Sequence, residues 1–204
     1  MFEIQTAYDR LAGRWDAWAE TVVPDLRSEK AVWVGEQVPL GGSVLELGCG
    51  TGLPAAAALA STTQYLGLDI SPQMVSLARR NVPGGEFRVE DMRGVEFPDQ
   101  SFDAVIAFHS IVHVPTADQP ALFRRLFRWL RPAGILVATL GTTADEETDQ
   151  DWLGAGPMHW SSLGAPAYRS LVAECGFEVI TDEIAPQLEG DHPVEFLWLT
   201  CRRL

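Results

Sequence analysis

Val44-Leu45-Glu46-Leu47 runs directly into Gly48-Cys49-Gly50-Thr51-Gly52, an apolar stretch that ends in glycines at alternate positions. The run suits a short buried strand over 43–47, and the glycines let the following backbone turn tightly and approach a ligand without Cβ clash. Pro54 then falls in the first turn of a helix that continues over 55–60, where a missing N–H costs nothing. The spacing is not that of a nicotinamide-binding turn. Leu53 stands where the third glycine of G-x-G-x-x-G belongs. Glu46, at the strand end, would sit badly against a pyrophosphate and well beside a cationic ligand.

The strand–helix alternation continues along the chain. Strands are predicted at 65–70, 86–90, 102–108 and 134–140, with helices at 72–81 and 117–130. A helix over 165–175 ends at Gly176, a left-handed cap position, and strands follow at 177–184 and 194–201. No helix separates these last two, so they pair antiparallel. Ahead of the first strand, Ala7, Leu11, Trp15 and Trp18 mark an amphipathic helix over 5–20, ended by Pro24, and Ser28 caps a second helix through Glu36. Apolar strands alternating with helices predict an α/β fold, a doubly wound, largely parallel sheet covered on both faces. A length of 204 residues suits one compact domain, with 1–38 as an N-terminal helical cap.

Charge narrows the partners. Asp and Glu number 28 against 15 Lys and Arg, a net charge of −13 that repels phosphate backbones and anionic lipid. Nucleic acid is therefore not expected as a partner, nor is a membrane, since no apolar run approaches the ~20 residues of a spanning helix. The negative field either favours a cationic or amine substrate or reflects solubility alone. The N-terminal stretch lacks the pattern of a secretory signal, and Cys49, Cys175 and Cys201 form neither a disulfide framework nor a CxxC metal pair. A cytoplasmic location and no metal are the expectations. The oligomeric state is left open.

Two further positions point at a ligand. Asp69 ends the second strand, nineteen residues past Gly50, where a carboxylate can accept from both hydroxyls of a ribose. Asp91-Met92 follows the third strand, where a carboxylate can accept from an exocyclic amine. With LELGCGTG, the Asp69 of LGLDIS, the Asp91 of VEDM, SFDAVIAFHSIVHV and RRLFRWLRPAGILVA in this order, the chain resembles the class I S-adenosylmethionine-dependent methyltransferases of the small single-domain bacterial type. The resemblance implies a Rossmann-like seven-stranded sheet with the last strand antiparallel and S-adenosylmethionine as cofactor. It implies that Glu46, Gly48 and Gly50 face the methionine part, Asp69 and Ile70 the ribose, and Asp91 and Met92 the adenine. Met74 then packs under the adenosine, Phe108 borders the cofactor, and Tyr8 and Trp15 on the N-terminal helix either close the site, Trp15 toward the acceptor, or serve only as core packing of that helix.

A small-molecule acceptor, methylated at oxygen, nitrogen or carbon, is the implied substrate. The alternative is a protein that binds the cofactor without transferring its methyl group. Residues just past the fourth strand meet the acceptor, so His109 and His113 are candidates for acceptor contact or general base. Their competing reading is simple hydrogen bonding to neighbouring loops. Residues 141–164 break the alternation, with Asp145, Glu146, Glu147, Asp149 and Asp151 followed by Trp152, Met158, His159 and Trp160. Connections this long are functional or disordered. The segment is expected to be a lid with His159 and Trp160 on its inner side, binding the acceptor; the competing reading is that its aromatics only dock it onto the protein and its acidic residues are a solvated loop.

Overall fold

The computed structural model describes residues 2–204. The chain opens with helix α1 (Phe2–Leu11), a 3-10 turn, α2 (Trp15–Ala19) and α3 (Arg27–Gln37). Strand β1 (Ser43–Leu47), α4 (Ala55–Leu59), β2 (Gln64–Asp69), α5 (Pro72–Asn81), β3 (Glu86–Val89) and β4 (Phe102–Ala107) follow. Next come α6 (Gln119–Trp129), β5 (Leu130–Gly141), the hairpin of β6 (Ala144–Asp149) and β7 (Met158–Leu163), α7 (Ala165–Cys175), β8 (Phe177–Glu189) and β9 (His192–Arg203). Seven strands form one sheet in the order β3-β2-β1-β4-β5-β9-β8. The first five are parallel, and β9 inserts antiparallel between β5 and β8.

Two apolar layers cover the sheet. Along β1, Leu45 and Leu47 pack with Leu122, Phe123, Leu126 and Trp129 of α6 and Tyr168 of α7, all fully buried. Val44 faces the other way, among Ala31, Val34, Leu59, Val75 and Ala78 from α3, α4 and α5. Both faces of the strand are covered and, Glu46 apart, apolar. A third cluster, with Ile4, Ala7 and Leu11 of α1 against Met74 and Met158, seats the N-terminal helix over the carboxyl edge of the sheet. Among the described residues no helix is long and apolar enough to cross a membrane.

Three local expectations are corrected. The helix over 5–20 is broken: a 3-10 turn at Ala12–Arg14 spans Gly13, and Arg14 leaves helical geometry with φ −128° and ψ 2°. Glycine in a helix interior is the weak point that permits this. Ser28 lies inside α3 and does not cap it; the Asp25 carboxylate accepts the Arg27 amide at 3.0 Å instead. Residues 141–164 are not a loop but the β6–β7 hairpin.

Candidate functional site

Every parallel strand ends on the same edge, and the connections leaving it bound a cavity of about 1200 Å³. Gly48, Gly50 and Gly52 all hold positive φ (77°, 52° and 80°), which only glycine adopts freely. They serve different ends. A Cβ on Gly48 would lie 2.3 Å from the Ser110 Cβ, and Ser110 is held there by donating its hydroxyl to the Leu47 carbonyl. A Cβ on Gly50 would project toward the cavity, with Trp15 Nε1 as its nearest neighbour at 3.7 Å.

Asp69 ties the turn after β1 to the end of β2. Its Oδ2 accepts the Gly50 amide at 2.9 Å and its Oδ1 the Ser71 amide at 2.8 Å. Burial pushes the carboxyl up to about 6, against the pull of those two amides, and the Asp9 charge adds to the rise. Glu46 is 4% exposed and accepts the Tyr65 hydroxyl. Burial raises it to about 8; Arg27 lowers it and Asp69 raises it further. Burial also works against ionisation of Asp91, but hydrogen bonds and charge from Arg93 outweigh it and hold the carboxyl below its usual value. Ile70, Met74, Met92 and Phe108 complete this half of the cavity.

The other half begins where β4 ends. His109 takes φ +52°, uncommon for a residue with a side chain. Its ring lies edge-on to Phe196 and Trp198 at 4.6 and 5.6 Å, and its Nδ1 is buried with no hydrogen-bond partner. Burial, then the Arg27 charge, lowers its pKa to about 3. His113 is fully engaged. Its Nδ1 lies 2.8 Å from the His159 carbonyl, which can only accept, so Nδ1 carries the proton. Nε2, at 2.7 Å from the Tyr8 hydroxyl, then accepts from it. Burial keeps this imidazole neutral, with a pKa of about 4. Burial and the charges of Asp69 and Glu189 keep the Tyr8 phenol protonated. His113 thus has no free nitrogen with which to serve as the expected base.

Tyr8, Trp15 and Trp160 line the cavity as expected. His159 does not. Alternation along β7 turns Trp160 inward and His159 outward, where its Nε2 meets Glu3 at 2.8 Å and its Nδ1 meets Thr148 at 2.8 Å. Its carbonyl alone reaches the site, through His113. Sequence reasoning missed Arg27, Trp18 and the β8–β9 tip, whose Gln187, Glu189 and Glu195 line the cavity. The tip is held by paired backbone bonds between Val23 and Leu188, at 3.1 and 2.7 Å. Residues 165 positions apart carry no local signal of meeting.

The family model described as a methyltransferase domain matches residues 44–134. The malonyl-acyl-carrier-protein O-methyltransferase of Serratia marcescens is 31% identical over 182 residues, 88% of this chain and 69% of that one. Phosphoethanolamine N-methyltransferase 3 of Arabidopsis thaliana is 30% identical over 149 residues, 70% of this chain but only 30% of that longer protein. The solved S-adenosylmethionine-dependent methyltransferase of Methanosarcina mazei superposes with a TM-score of 0.73 at 16% identity, over 84% of this chain and 97% of its own.

Proposed function

The chain belongs to the class I S-adenosylmethionine-dependent methyltransferases, and on that premise we propose that it moves a methyl group from S-adenosylmethionine to oxygen, nitrogen or carbon of a small-molecule metabolite. One observation carries the reading: a single cavity joins the carboxylates at the ends of β1, β2 and β3 to the histidines after β4. Its volume of about 1200 Å³ exceeds the ~300–1,000 Å³ of a one-ligand pocket, leaving room for a cofactor and an acceptor together.

The residues fit the cofactor. Gly50 offers an open approach, and Glu46 and Asp69 offer carboxylates inside the cavity. Glu46 would hold the ammonium of the methionine part, Asp69 with Ile70 the ribose, and Asp91 with Met92 the adenine over Met74. Gly48 acts at one remove, by letting Ser110 close under the turn. The bound cofactor supplies a methyl group already activated on a sulfonium, so alignment and exclusion of water are the protein's main tasks. His109, whose ring lines the cavity, orients the acceptor or receives its proton. His113 acts as a positioning residue, fixing Tyr8. The β6–β7 hairpin, with Trp160 inward, serves as the lid.

The net charge of −13 supports a small acceptor over nucleic acid. Titration with S-adenosylhomocysteine tests the cofactor half, and release of that product from S-adenosylmethionine across a metabolite panel tests the transfer. A protein that binds the cofactor and methylates no member of a broad panel would favour a binding role.

A further inference from the structure

The part of the cavity beyond the cofactor residues has a marked charge pattern. Along β6, Asp145, Glu147 and Asp149 line the cavity, while Glu146 and Thr148 turn outward to Thr116 and His159. The register sets Glu147 opposite Trp160, so carboxylate and indole share the inner face of the hairpin. Glu189 and Glu195 approach from the β8–β9 wall. Five carboxylates therefore surround this half.

Little positive charge balances them, although Glu189 accepts from Gln187 at 2.8 Å and feels the charge of Arg27. Histidines aside, Arg27 is the one basic side chain among the described residues of the lining, and Asp25 takes its guanidinium through bonds of 2.9 and 2.8 Å. A phosphate or carboxylate on the acceptor would find no free cation here and would face like charge on two sides. Aromatic rings form the floor. Tyr8, Trp15, Trp18, Trp152 and Trp160 stand with neighbouring centroids 4.9 to 6.2 Å apart. Indole faces attract cations, most strongly where water is excluded. The His109 ring, held edge-on to Phe196 and Trp198, also lines this half of the cavity.

We propose that the acceptor is a cationic amine on an aromatic or aliphatic body, with no phosphate or carboxylate, held between the β6 carboxylates and the tryptophan wall. This rests on the methyl-transfer reading above and narrows its acceptor to one charge class. The carboxylates also offset the repulsion between such an amine and the sulfonium beside it.

The test uses the full chain saturated with S-adenosylhomocysteine, whose binding is measured first. Failure of that first titration would undo the cofactor reading itself, and not only the choice of acceptor. Three probes of one shape then separate charge from shape: tryptamine, the neutral indole-3-ethanol and the anionic indole-3-propionate. Tryptamine should bind at least about tenfold more tightly than the neutral probe, with the anion weakest. Replacing Asp145→Asn, Glu147→Gln and Asp149→Asn together should bring tryptamine to within about twofold of the neutral probe, with S-adenosylhomocysteine affinity unchanged. These side chains are exposed and outside the core, so the triple variant keeps its fold. An anion that binds as well as tryptamine, a preference that survives the triple substitution, or no binding of any probe to the loaded protein would each overturn the proposal.

Discussion

Tyr8 Oη stands 2.7 Å from His113 Nε2 and ties helix α1 to the turn after β4 across 105 residues of sequence. With the His159 carbonyl on the other nitrogen, one imidazole joins three separate elements. Tyr8→Phe leaves Nε2 buried and unpaired at a cost of about 1–3 kcal/mol. At roughly 2–4 °C per kcal/mol the melting temperature should fall measurably. His113→Ala strands both the Tyr8 hydroxyl and the His159 carbonyl, so thermal melts should rank it below Tyr8→Phe. Equal stability of His113→Ala and the parent protein would show that the imidazole links nothing.

Gly48 and Gly50 should separate by phenotype. Alanine at either position adopts a left-handed conformation at about 1–2 kcal/mol. At Gly48 the new methyl also collides with Ser110. Gly48→Ala should therefore lose soluble, folded protein, and pairing it with Ser110→Gly should recover part of the loss. Gly50→Ala should stay folded by circular dichroism and lose cofactor affinity in titration. The reverse pattern would exchange the two roles.

On the proposed assignment of Glu46 to the cofactor's ammonium, cofactor affinity should depend on pH. Folded, it keeps its proton up to about 8; the unfolded reference is 4.5. Its contribution to stability is fully present below pH 4.5, falls across the window between these values, and is gone above about 8. Pairing with the cofactor's ammonium requires the carboxylate, so affinity should tighten by up to about tenfold per pH unit as the pH rises toward 8. Glu46→Gln should flatten that slope and weaken binding at pH 8. Titrations at pH 6, 7 and 8 decide the matter, and a flat parent profile would count against Glu46 as the ammonium partner.

His109 should tolerate asparagine, which accepts the left-handed region more readily than most residues. His109→Asn should keep the fold and the cofactor affinity. Turnover should fall by about 10²–10⁴-fold if the ring receives a proton, and less if it only orients the acceptor. Unchanged turnover in both His109→Asn and His109→Ala would remove His109 from the reaction.

The helices over 72–81 and 165–175 and the strand over 43–47 were legible to the residue, and the remaining strands of the large sheet to within a few residues at most ends, because each is bounded by sharp signals. Pro72 opens one helix, Gly176 closes another, and β1 is, Glu46 apart, apolar on both faces. The C-terminal hairpin was underestimated. β8 continues from Ile184 to Glu189 through Ala185-Pro186-Gln187-Leu188, a mixed stretch with a proline whose pairing comes from β9 and Val23. The β6–β7 hairpin was hidden for a similar reason. Its first strand, Ala-Asp-Glu-Glu-Thr-Asp, has low strand propensity and no buried residue. The cavity residues at the ends of β1, β2, β3 and β4 were readable from strand position together with the family resemblance. Arg27, Trp18 and Glu189 were not, since each reaches the cavity through an approach between distant segments.

The place of β9 inside the sheet bears on how the protein is made. Residues 192–203 emerge from the ribosome after every other strand, yet they must slot between β5 and β8. Until they do, the outer edge of β5 exposes Ile135 to Leu140 as a long, apolar, unpaired strand, the kind of surface that invites aggregation. The same twelve residues carry Phe196 and Trp198, the rings that flank His109. A nascent chain can therefore assemble the glycine turn after β1 early, but it acquires the wall behind His109 only when β9 enters and protects the sheet.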